Sequence, residues 1–523
     1  MFWADRIADE IESRFGKKPK HPLVIRDEKT VSGRVHVGSM RGVVIHGVVS
    51  QILAKKGIKN TFLYEFNDLD PMDDLPSDLP KEQFEKYLGA PLLNIPSPEP
   101  SAKNYAEYFA NDFKSVIKDE GFSPEFYYTS ELYTSGKMDE VIREALLAAE
   151  HIRNIYKEVS GSQRNDTWLP LSVICPKCGK LSTTEASDFN GETVAFTCRV
   201  DKVEWAAGCG ETGRISPFGG KAKLPWKVEW GAKWKVLEVS IEGAGKDHST
   251  KGGARDVANR ISKEVFKYEP PFDMPYEFFL VGGKKMSSSK GYGSSAREIA
   301  NLVPPKIFLL AMLSKDIMQA FNFDPEGDTI PVLYDLYDKL AESFKARVVD
   351  DYARLFTYIH VGVLLVPDFL MRFSQIAFIV QMPHLNLEEE ATRIKGAPLT
   401  NEDKKELLER AAYAHRWLDV CAPEKFKFVL QQELPEVAKN LTVPQKQALA
   451  KIILYMEAHE NVSGKELHEH IHEIKKESGI AAADLFSAIY LLFLGKTSGP
   501  QAGWFLSVLK KDFVLKRLKE GVS

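Results

Sequence analysis

A strand, a glycine turn and a long apolar helix follow one another near the start of the chain. Pro22 to Arg26 reads as a short buried strand, Gly33 lies in the polar turn that follows, and apolar residues then recur at helical spacing as far as Leu53. Glycines after a strand let backbone N–H groups approach phosphate oxygens, and the start of the next helix adds a positive dipole. This segment predicts an α/β fold with a parallel, Rossmann-type nucleotide-binding sheet.

Further strand and helix patterns alternate along the chain and are interrupted once. Thr61 to Phe66, Glu125 to Tyr128 and Glu277 to Val281 are strand patterns, and almost everything after Ile307 has helical periodicity. Residues 162–225 differ, because Gly, Pro, Ser, Thr and Cys separate short alternating runs. The predicted segments are the first half of the Rossmann-type domain with a connective insertion (1–161), a small zinc-ribbon-like β module (162–225), the second half (226–306), a helical connector (307–345) and an all-helical domain (346–523).

Size and composition limit the classes of protein. A chain of 523 residues is too long for a single core, and 44% hydrophobic with 27% charged residues is typical of a globular protein. The net charge of −4 gives no overall basic signature, so any nucleic-acid contact must come from local patches. The sequence shows neither a signal peptide nor an apolar run of about 18 residues, so we expect a cytoplasmic protein without a membrane partner.

Four of the five cysteines cluster within one short stretch. Cys175 and Cys178 have the Cys-x2-Cys spacing of a zinc knuckle, and Cys198 and Cys209 follow. Two later cysteines can complete a tetrahedral sulfur shell, although their wider spacing also fits free thiols in a degenerate ribbon. We therefore predict a structural Zn²⁺ on these four cysteines, with no catalytic role.

Two groups of residues suggest phosphate chemistry. His36 lies between Gly33 and Gly38 and could donate a hydrogen bond to a phosphate in the transition state, although it could equally be a helix-start residue. Residues 282–291 place three lysines and three serines in a glycine-flanked loop. Mobile ammonium and hydroxyl groups can close on a pyrophosphate leaving group and then release it, whereas an arbitrary run of this composition would be a solvated loop.

The order of these two segments carries a resemblance. Ser32-Gly33-Arg34-Val35-His36-Val37-Gly38-Ser39 after the first strand, and Lys285-Met286-Ser287-Ser288-Ser289-Lys290-Gly291 after the last strand of the same interrupted sheet, resemble the two ATP signatures of class I aminoacyl-tRNA synthetases. The wider match is similar to class I lysyl-tRNA synthetases and covers most of the chain. It is carried by residues 67–73 (NDLDPMD), 86–92 (KYLGAPL), 105–109 (YAEYF), 226–230 (WKVEW) and 245–248 (GKDH).

The resemblance implies roles for individual residues. Catalytic roles fall on His36, Lys285, Ser287, Ser288, Ser289 and Lys290. ATP-binding roles fall on Ser32, Gly33, His36, Gly38, Ser39, Gly245, Asp247 and Lys285. The lysine pocket would be lined by Thr30, Trp226, His248 and Tyr276, of which the two aromatic residues could instead be core residues and His248 a loop histidine.

The implied reaction is a two-step ligation. Lysine attacks ATP, with Mg²⁺ on the phosphates, to give lysyl-adenylate and pyrophosphate, and the lysyl group then passes to the 3' end of tRNA-Lys. Residues 346–523 would form an α-helix cage that binds the anticodon stem. The basic pattern Leu509 to Lys519 would contact phosphates there, although such a pattern alone is typical of a solvated helix face.

Three departures from the pattern leave alternatives open. Ser39 replaces a second histidine, Ser288 replaces a lysine, and Arg26-Asp27-Glu28 stands where a Glu-Ser/Thr-Gly run is expected, so Asp27 or Glu28 could pair with a substrate cation. The alternatives are a glutamyl-type class I synthetase, a synthetase-like ligase that does not charge tRNA, and an RNA- or zinc-binding protein without activity. The acidic residues Asp68, Asp70, Asp73 and Asp74 are interpreted as a solvated loop or helix cap.

Overall fold

The computed structural model describes residues 1–283, 294–360, 366–382, 385–460 and 462–523. Its strands are β1 (Leu23–Thr30), β2 (Asn60–Asn67), β3 (Glu125–Tyr128), β4 (Ser172–Val173), β5 (Thr184–Ser187), β6 (Val194–Cys198), β7 (Thr212–Ile215), β8 (Ala222–Lys223), β9 (Val239–Glu242), β10 (Phe272–Asp273), β11 (Phe279–Val281) and β12 (Phe321–Phe323).

Its helices are α1 (Trp3–Phe15), α2 (Met40–Lys55), α3 (Lys81–Phe84), α4 (Tyr105–Asp119), α5 (Thr129–Thr134), α6 (Asp139–Leu147), α7 (Ala149–Ser160), α8 (Trp226–Val236), α9 (Ala254–Glu264), α10 (Ala296–Leu302), α11 (Pro305–Leu313), α12 (Thr329–Lys345), α13 (Asp351–Tyr358), α14 (Phe373–Ile379), α15 (Leu387–Lys395), α16 (Asn401–Val420), α17 (Val443–Ala458), α18 (Gly464–Ser478), α19 (Ala482–Leu494), α20 (Ala502–Val508) and α21 (Lys511–Val522).

The chain divides into two compact units. The first consists of Met1–Phe323 and Arg347–Gly362, and the second of Asp324–Ala346 and Val363–Ser523. These borders differ from the segment borders predicted after residues 306 and 345, because residues 307–323 belong to the first unit. All the strands of the described residues lie in the first unit.

A parallel sheet forms the centre of the first unit. Within the described residues it has five strands in the order β10-β9-β1-β2-β3. Ile25 of the central strand β1 is fully buried and pairs with Phe62 of β2 and Ile241 of β9. The predicted α/β fold with a Rossmann-type sheet is confirmed, and the carboxyl ends of β1, β2 and β9 meet at one edge, where such sheets bind ligands.

Helix α2 packs behind this edge and is buried along nearly its whole length. By length and composition alone, Val37–Lys55 could cross a membrane, but 72% of its apolar window is buried inside the protein. A buried core helix can have the same length and apolar composition as a membrane-spanning helix. Gly47 lets this helix pack closely, since a Cβ atom there would lie 2.3 Å from the ring of Phe122.

The late strand pattern at Glu277 to Val281 forms β11, but this strand is not part of the five-stranded sheet. It pairs in parallel with β12 instead. The sheet is continued beyond β9 by the two-residue strand β10 and by a parallel bridge between Gly245 and Tyr276. The expectation that the second signature follows the last strand of the same sheet is therefore wrong.

The cysteine-bearing insertion is a small β structure, as its composition predicts. Strands β5, β6 and β7 form an antiparallel sheet, and β4 pairs with β8 where the insertion begins and ends. Thr184 of β5 is opposite Cys198 of β6. This pairing brings the third cysteine to the knuckle formed by the first two.

In the described residues of the second unit all the regular secondary structure is helical, as predicted. Several of its helices begin with a capping box, including those capped by Thr400, Thr442 and Ser463. Tyr334 stacks on Phe373 with ring centroids 4.2 Å apart, which joins α12 to α14 in the core.

Candidate active site

A cavity of about 660 Å³ opens where the central strands of the sheet end. Its wall includes the last residue of three strands, namely Thr30, Asn67 and Glu242. Trp226 and Trp230 from α8 form another part of the wall. The cavity therefore occupies the position at which parallel α/β sheets bind their ligands.

The four residues predicted for the lysine pocket all line this cavity. They come from four separate segments: Thr30, Trp226, His248 and Tyr276. Of the residues predicted to bind ATP, Ser32 and Gly245 also line it. The structure therefore brings together residues that are up to 246 positions apart in the sequence, between Thr30 and Tyr276.

The other predicted ATP residues that the structure describes, Gly33, His36, Gly38, Ser39 and Asp247, lie in turns next in sequence to residues of the cavity wall. His36 is followed by a short 3-10 turn, Val37–Ser39, that leads into α2. Asp247 lies in the turn after β9, where the N–H of His248 donates to the carbonyl of Gly245 at 2.9 Å. Ser39 makes no side-chain cap to α2 within the described residues, so the first N–H groups of this helix are not capped by it.

The first glycine turn is held by hydrogen bonds from other segments. Tyr105 Oη donates to the carbonyl of Ser32 at 2.8 Å, and the N–H of Val37 donates to the carbonyl of Ser294 at 3.2 Å. His36 also forms an antiparallel bridge with Ser295. These contacts fix the backbone that the sequence predicts as a phosphate-binding turn. The predicted residues Lys285, Ser287, Ser288, Ser289 and Lys290 lie outside the described residues.

Aromatic rings form one side of the cavity. Trp226 and Trp230 are one helical turn apart on α8, with ring centroids 5.9 Å apart. The ring of His248 meets that of Trp226 edge-on at 5.6 Å and that of Trp230 at 6.0 Å. Such surfaces cover aliphatic groups and attract cations.

The lining of the cavity contains more acidic than basic side chains. Two lysines, Lys29 and Lys223, line it, compared with five carboxylic acids: Asp27, Glu28, Asp70, Asp73 and Glu242.

A network of buried charges begins at Arg26, in the middle of β1. Its guanidinium donates to Glu242 at 2.5 Å and to Tyr127 Oη at 2.9 Å, and it also contacts Glu65 and Glu28. Burial lowers the pKa of Arg26, but Glu242, Tyr127 and Glu65 raise it well above its usual value. This side chain is therefore a fixed positive charge beneath the cavity.

Two lysines extend this network to the cavity wall. Lys233 contacts Glu65 and lies 3.0 Å from Glu229. Lys223 lies 2.7 Å from Glu229 and 3.0 Å from Asp70, which in turn accepts a 2.7 Å hydrogen bond from Thr30 Oγ1. The hydroxyl of Thr30 is thereby oriented by a chain of paired charges.

Part of the acidic segment after β2 is buried, which corrects the interpretation of this segment as a solvated loop. Asp68 accepts hydrogen bonds from the N–H and Oγ of Ser130, near the start of α5, at 2.9 and 2.5 Å, as a helix cap would. Asp70 is instead tied to Thr30 and Lys223 in the cavity wall. Burial raises the pKa of Asp68 to about 6.

The four cysteines of the insertion converge on one point. All their Sγ atoms lie within 4.8 Å of one another, with the pairs Cys175–Cys209 and Cys178–Cys198 at 3.6 Å. A tetrahedral shell with Zn–S bonds of about 2.3 Å has sulfur atoms about 3.8 Å apart. The donor set therefore fits a Zn²⁺ ion with four sulfur ligands.

The parallel sheet, the glycine turn and the cavity at the strand ends define a nucleotide-binding α/β protein. The chain belongs to the class I tRNA synthetase family, because the family model described as tRNA synthetases class I (K) matches residues 1–360. A second model, described as an anticodon binding domain, matches residues 414–522. The prediction of a class I aminoacyl-tRNA synthetase is confirmed.

Relatives match over nearly the full length. A lysine–tRNA ligase of Methanosarcina barkeri is 31% identical over 542 residues, which covers 99% of this chain and 97% of the relative. Lysine–tRNA ligases of Archaeoglobus fulgidus and Methanocaldococcus jannaschii are 30% and 31% identical, each with 99% of both chains covered. A solved glutamate tRNA ligase from Elizabethkingia meningosepticum is 11% identical, with a TM-score of 0.41 and coverage of 96% of this chain and 99% of that one.

The buried charges are the part of the site that the sequence did not predict. Glu229 and Lys233 are spaced i, i+4 on α8, which indicates a shared helix face but not that the face is buried. Arg26, Glu65 and Glu242 each lie within or at the end of an apolar strand pattern. A charge within such a pattern is the signal that could have identified them.

Proposed function

We propose that the chain is a lysine–tRNA ligase that activates lysine with ATP and transfers it to the 3' end of tRNA-Lys. The observation that carries this proposal is the cavity, whose lining includes five carboxylic acids, two lysines and the rings of Trp226, Trp230 and His248. An aliphatic side chain that ends in an ammonium group matches both the acids and the rings. A glutamate side chain would instead be repelled by this wall.

The first step requires positioning more than proton transfer. A carboxylate oxygen of lysine forms a bond to the α-phosphorus of ATP, the bond from that phosphorus to the bridging oxygen breaks, and pyrophosphate leaves with Mg²⁺ on its oxygens. Because the nucleophile is already ionised, no general base is needed. In the second step, a terminal ribose hydroxyl of the tRNA attacks the lysyl carbonyl and AMP leaves.

Residues of the chain have proposed parts in this reaction. His36 and the N–H groups at the start of α2 would stabilise charge on the ATP phosphates, and Gly245 and Asp247 would contact the adenosine and the amino acid. By resemblance, Lys285, Ser287, Ser288, Ser289 and Lys290 would form the loop that closes on pyrophosphate. Ser32, Gly33, Gly38 and Ser39 would shape the ATP turn.

The lysine pocket is proposed to use the four residues that line the cavity. Thr30 would present its oriented hydroxyl, while Trp226 and His248 would cover the methylene groups. Tyr276 would present its phenol oxygen. A cytoplasmic location follows from this function, because tRNA charging takes place there.

The second unit would bind the anticodon stem of the tRNA. The matched anticodon binding domain of residues 414–522 supports this part of the proposal. Within α21, Lys516 and Lys519 are exposed and form surface ion pairs with Glu520 and Glu457, which a phosphate could replace, whereas Arg517 is buried and donates to the carbonyl of Leu492 at 2.7 Å. Of the predicted basic helix, the exposed lysines rather than Arg517 are therefore the proposed tRNA contacts.

Pyrophosphate exchange into ATP tests the substrate. We expect lysine to support exchange and glutamate and the other amino acids not to. Charging of a tRNA-Lys transcript then tests the second step. Exchange with glutamate and none with lysine would replace the proposal by the glutamyl alternative, and exchange without charging would indicate a synthetase-like ligase. A protein that binds RNA but neither exchanges nor charges would have no ligase activity.

A structural Zn²⁺ on Cys175, Cys178, Cys198 and Cys209 is also proposed. Measurement of zinc in the purified protein tests it. We expect about one zinc per chain in the wild type and a loss of most of it in Cys198→Ser, because the shell needs four sulfur ligands. Cys421→Ser is the matched control, since Cys421 belongs to the other unit, and it should keep its zinc. Equal zinc content in the two variants would rule out this site.

A further inference from the structure

Asp68 and Glu120 are buried carboxylic acids of the first unit without a lysine or arginine within 4.0 Å in the described residues, and Asp27 differs from both because it lines the cavity. It lies on β1, is 8% exposed and lines the cavity. Its Oδ1 accepts a 2.9 Å hydrogen bond from the N–H of Glu28. In the part of the chain that the structure describes, no lysine or arginine lies within 4.0 Å of its carboxylate, since the neighbouring Arg26 pairs with Glu28, Glu65 and Glu242.

The histidine beside Asp27 does not supply the missing charge. His46 Nδ1 is 3.7 Å from Asp27 Oδ2, but this nitrogen is 2.7 Å from the carbonyl of Gly42. Its Nε2 accepts a 2.8 Å hydrogen bond from the N–H of Gly243. An Nε2 that accepts carries no proton, so these contacts hold the ring in its neutral form. Burial lowers the pKa of His46 to about 4, which agrees with this geometry.

The packing around Gly42 fixes where the carboxylate can point. A Cβ atom on Gly42 would lie 2.5 Å from Asp27 Oδ2 and 2.7 Å from Tyr276 Oη. The Asp27 carboxylate and the Tyr276 phenol oxygen therefore both lie next to this glycine of α2, and both residues line the cavity. Two oxygen atoms thus converge in a buried part of the wall of a cavity that also contains tryptophan.

The position of Asp27 distinguishes the two ammonium groups of a lysine substrate. Asp27 lies three residues before the end of β1, about 10 Å from the strand end at roughly 3.3 Å per residue. The glycine turn, where ATP would bind, follows that end. Because the α-ammonium group is two bonds from the reacting carboxylate, it must stay near the turn. The side-chain ammonium group can reach further in.

We propose that Asp27 binds the side-chain ammonium group of the substrate and determines specificity for it, with Tyr276 Oη as a second oxygen ligand. This inference rests on the proposed function and deepens it. The ammonium group supplies the cation that the carboxylate lacks, and Trp226 and Trp230 cover the methylene groups. In the unliganded protein, burial, together with Glu242 and Glu28, raises the pKa of Asp27 to about 8. Substrate binding at neutral pH therefore releases this proton to solvent.

The decisive experiment compares Asp27→Asn with the wild type using three ligands. Pyrophosphate exchange gives KM and kcat for lysine, and inhibition of that exchange gives Ki for norleucine, which lacks the side-chain ammonium, and for 6-aminohexanoate, which lacks the α-ammonium. We expect KM for lysine and Ki for 6-aminohexanoate to rise about 100-fold, the loss of one charge-assisted contact. Norleucine should bind equally well to both proteins, and kcat at saturating lysine should change little.

A matched control uses another buried carboxylic acid. Glu120 is 1% exposed, does not line the cavity, and has its pKa raised to about 8, chiefly by burial. Glu120→Gln should leave all three constants unchanged. Asp27→Ser is a second variant of the same site and should behave as Asp27→Asn does.

The pH profile adds a measurement that a purely structural role would not alter. In the wild type kcat/KM for lysine should rise up to about pH 8 as Asp27 ionises, and in Asp27→Asn this rise should be absent. The charged or titratable groups that face Asp27 are Arg26, Glu28, Lys29, His46, Tyr64, Glu242 and Tyr276.

Two results would overturn the inference. If Asp27→Asn weakens norleucine and 6-aminohexanoate as much as lysine, Asp27 only shapes the site. If it weakens lysine and norleucine but not 6-aminohexanoate, Asp27 binds the α-ammonium group instead. Failure of the proposed function is a separate outcome, because the wild type itself would then show no exchange with lysine.

Discussion

The two compact units treat buried charge differently. In the second unit, Arg410 is fully buried and bound by Asp338 at 2.6 Å and Glu406 at 2.8 Å. In the first unit, the buried charges form a connected network below a cavity, and Asp27 at its edge is left without a cation in the described part of the chain.

This difference separates charges that maintain the fold from charges that await a ligand. A buried ion with all its partners is a structural element, even when it contributes little net stability. A buried carboxylic acid without a cation is costly to ionise, and where it also lines a cavity a cationic ligand can supply the missing partner. A buried acid in the cavity wall that lacks a cationic partner, rather than burial alone, therefore indicates where the cavity binds a cation.

The largest predicted effect comes from breaking the network. Lys233→Met removes the cation between Glu65 and Glu229 and should lower the free energy of unfolding by about 3 kcal/mol, because two buried carboxylates each lose one cationic partner and keep the other, Arg26 or Lys223. Urea unfolding followed by tryptophan fluorescence measures this loss. Lys235→Met, on the same helix, is the control: its pair with Glu144 is partly exposed and should be worth less than about 1 kcal/mol. Equal losses in the two variants would show that the network is not a structural element.

A smaller effect of opposite sign is expected at Asp27. Its pKa in the folded protein is raised to about 8 from 3.8, so the favourable contribution of the neutral acid is complete below about pH 4 and is lost as the pH rises through 8. An asparagine at this position stays neutral at every pH. Asp27→Asn should therefore raise the free energy of unfolding of the unliganded protein by about 2 kcal/mol at pH 8. The gain should shrink towards pH 4. A variant less stable than the wild type at pH 8 would place Asp27 among the structural charges.

The sequence predicts those parts of the fold that depend on local patterns. The strand, turn and helix at the start of the chain have apolar spacings that differ between strand and helix, and the Cys-x2-Cys spacing identifies half of the sulfur cluster. The order of the two ATP signatures then allowed Thr30, Trp226, His248 and Tyr276 to be named, and the structure places all four in one cavity.

The remaining features depend on strand order, which local patterns do not encode. Arg26 meets Glu65 and Glu242 because β2 and β9 flank β1, although these strands lie on opposite sides of it in the sheet and far apart in the chain. The same limitation explains the error at β11, whose composition fits a sheet strand but whose partner is β12. Long-range pairing decides both cases.

The smallest predicted effect concerns a fully compensated charge of the second unit. Asp403 accepts hydrogen bonds from Lys395 Nζ at 2.7 Å and from the N–H groups of Phe369 and Thr400 at 2.9 and 3.0 Å. Burial raises its pKa, but these three donors outweigh burial and lower the pKa to about 2 from 3.8. Its stabilising contribution is therefore complete above about pH 4 and is lost as the pH falls through 2.

Asp403→Asn should cost about 1 kcal/mol at pH 7, and this difference should vanish near pH 2. Urea unfolding followed by circular dichroism between pH 2 and pH 7 measures it, with the exposed neighbour Glu402→Gln as the control. A cost that stays constant down to pH 2 would mean that the amide disturbs packing, and that the charge of Asp403 is not what stabilises the start of α16.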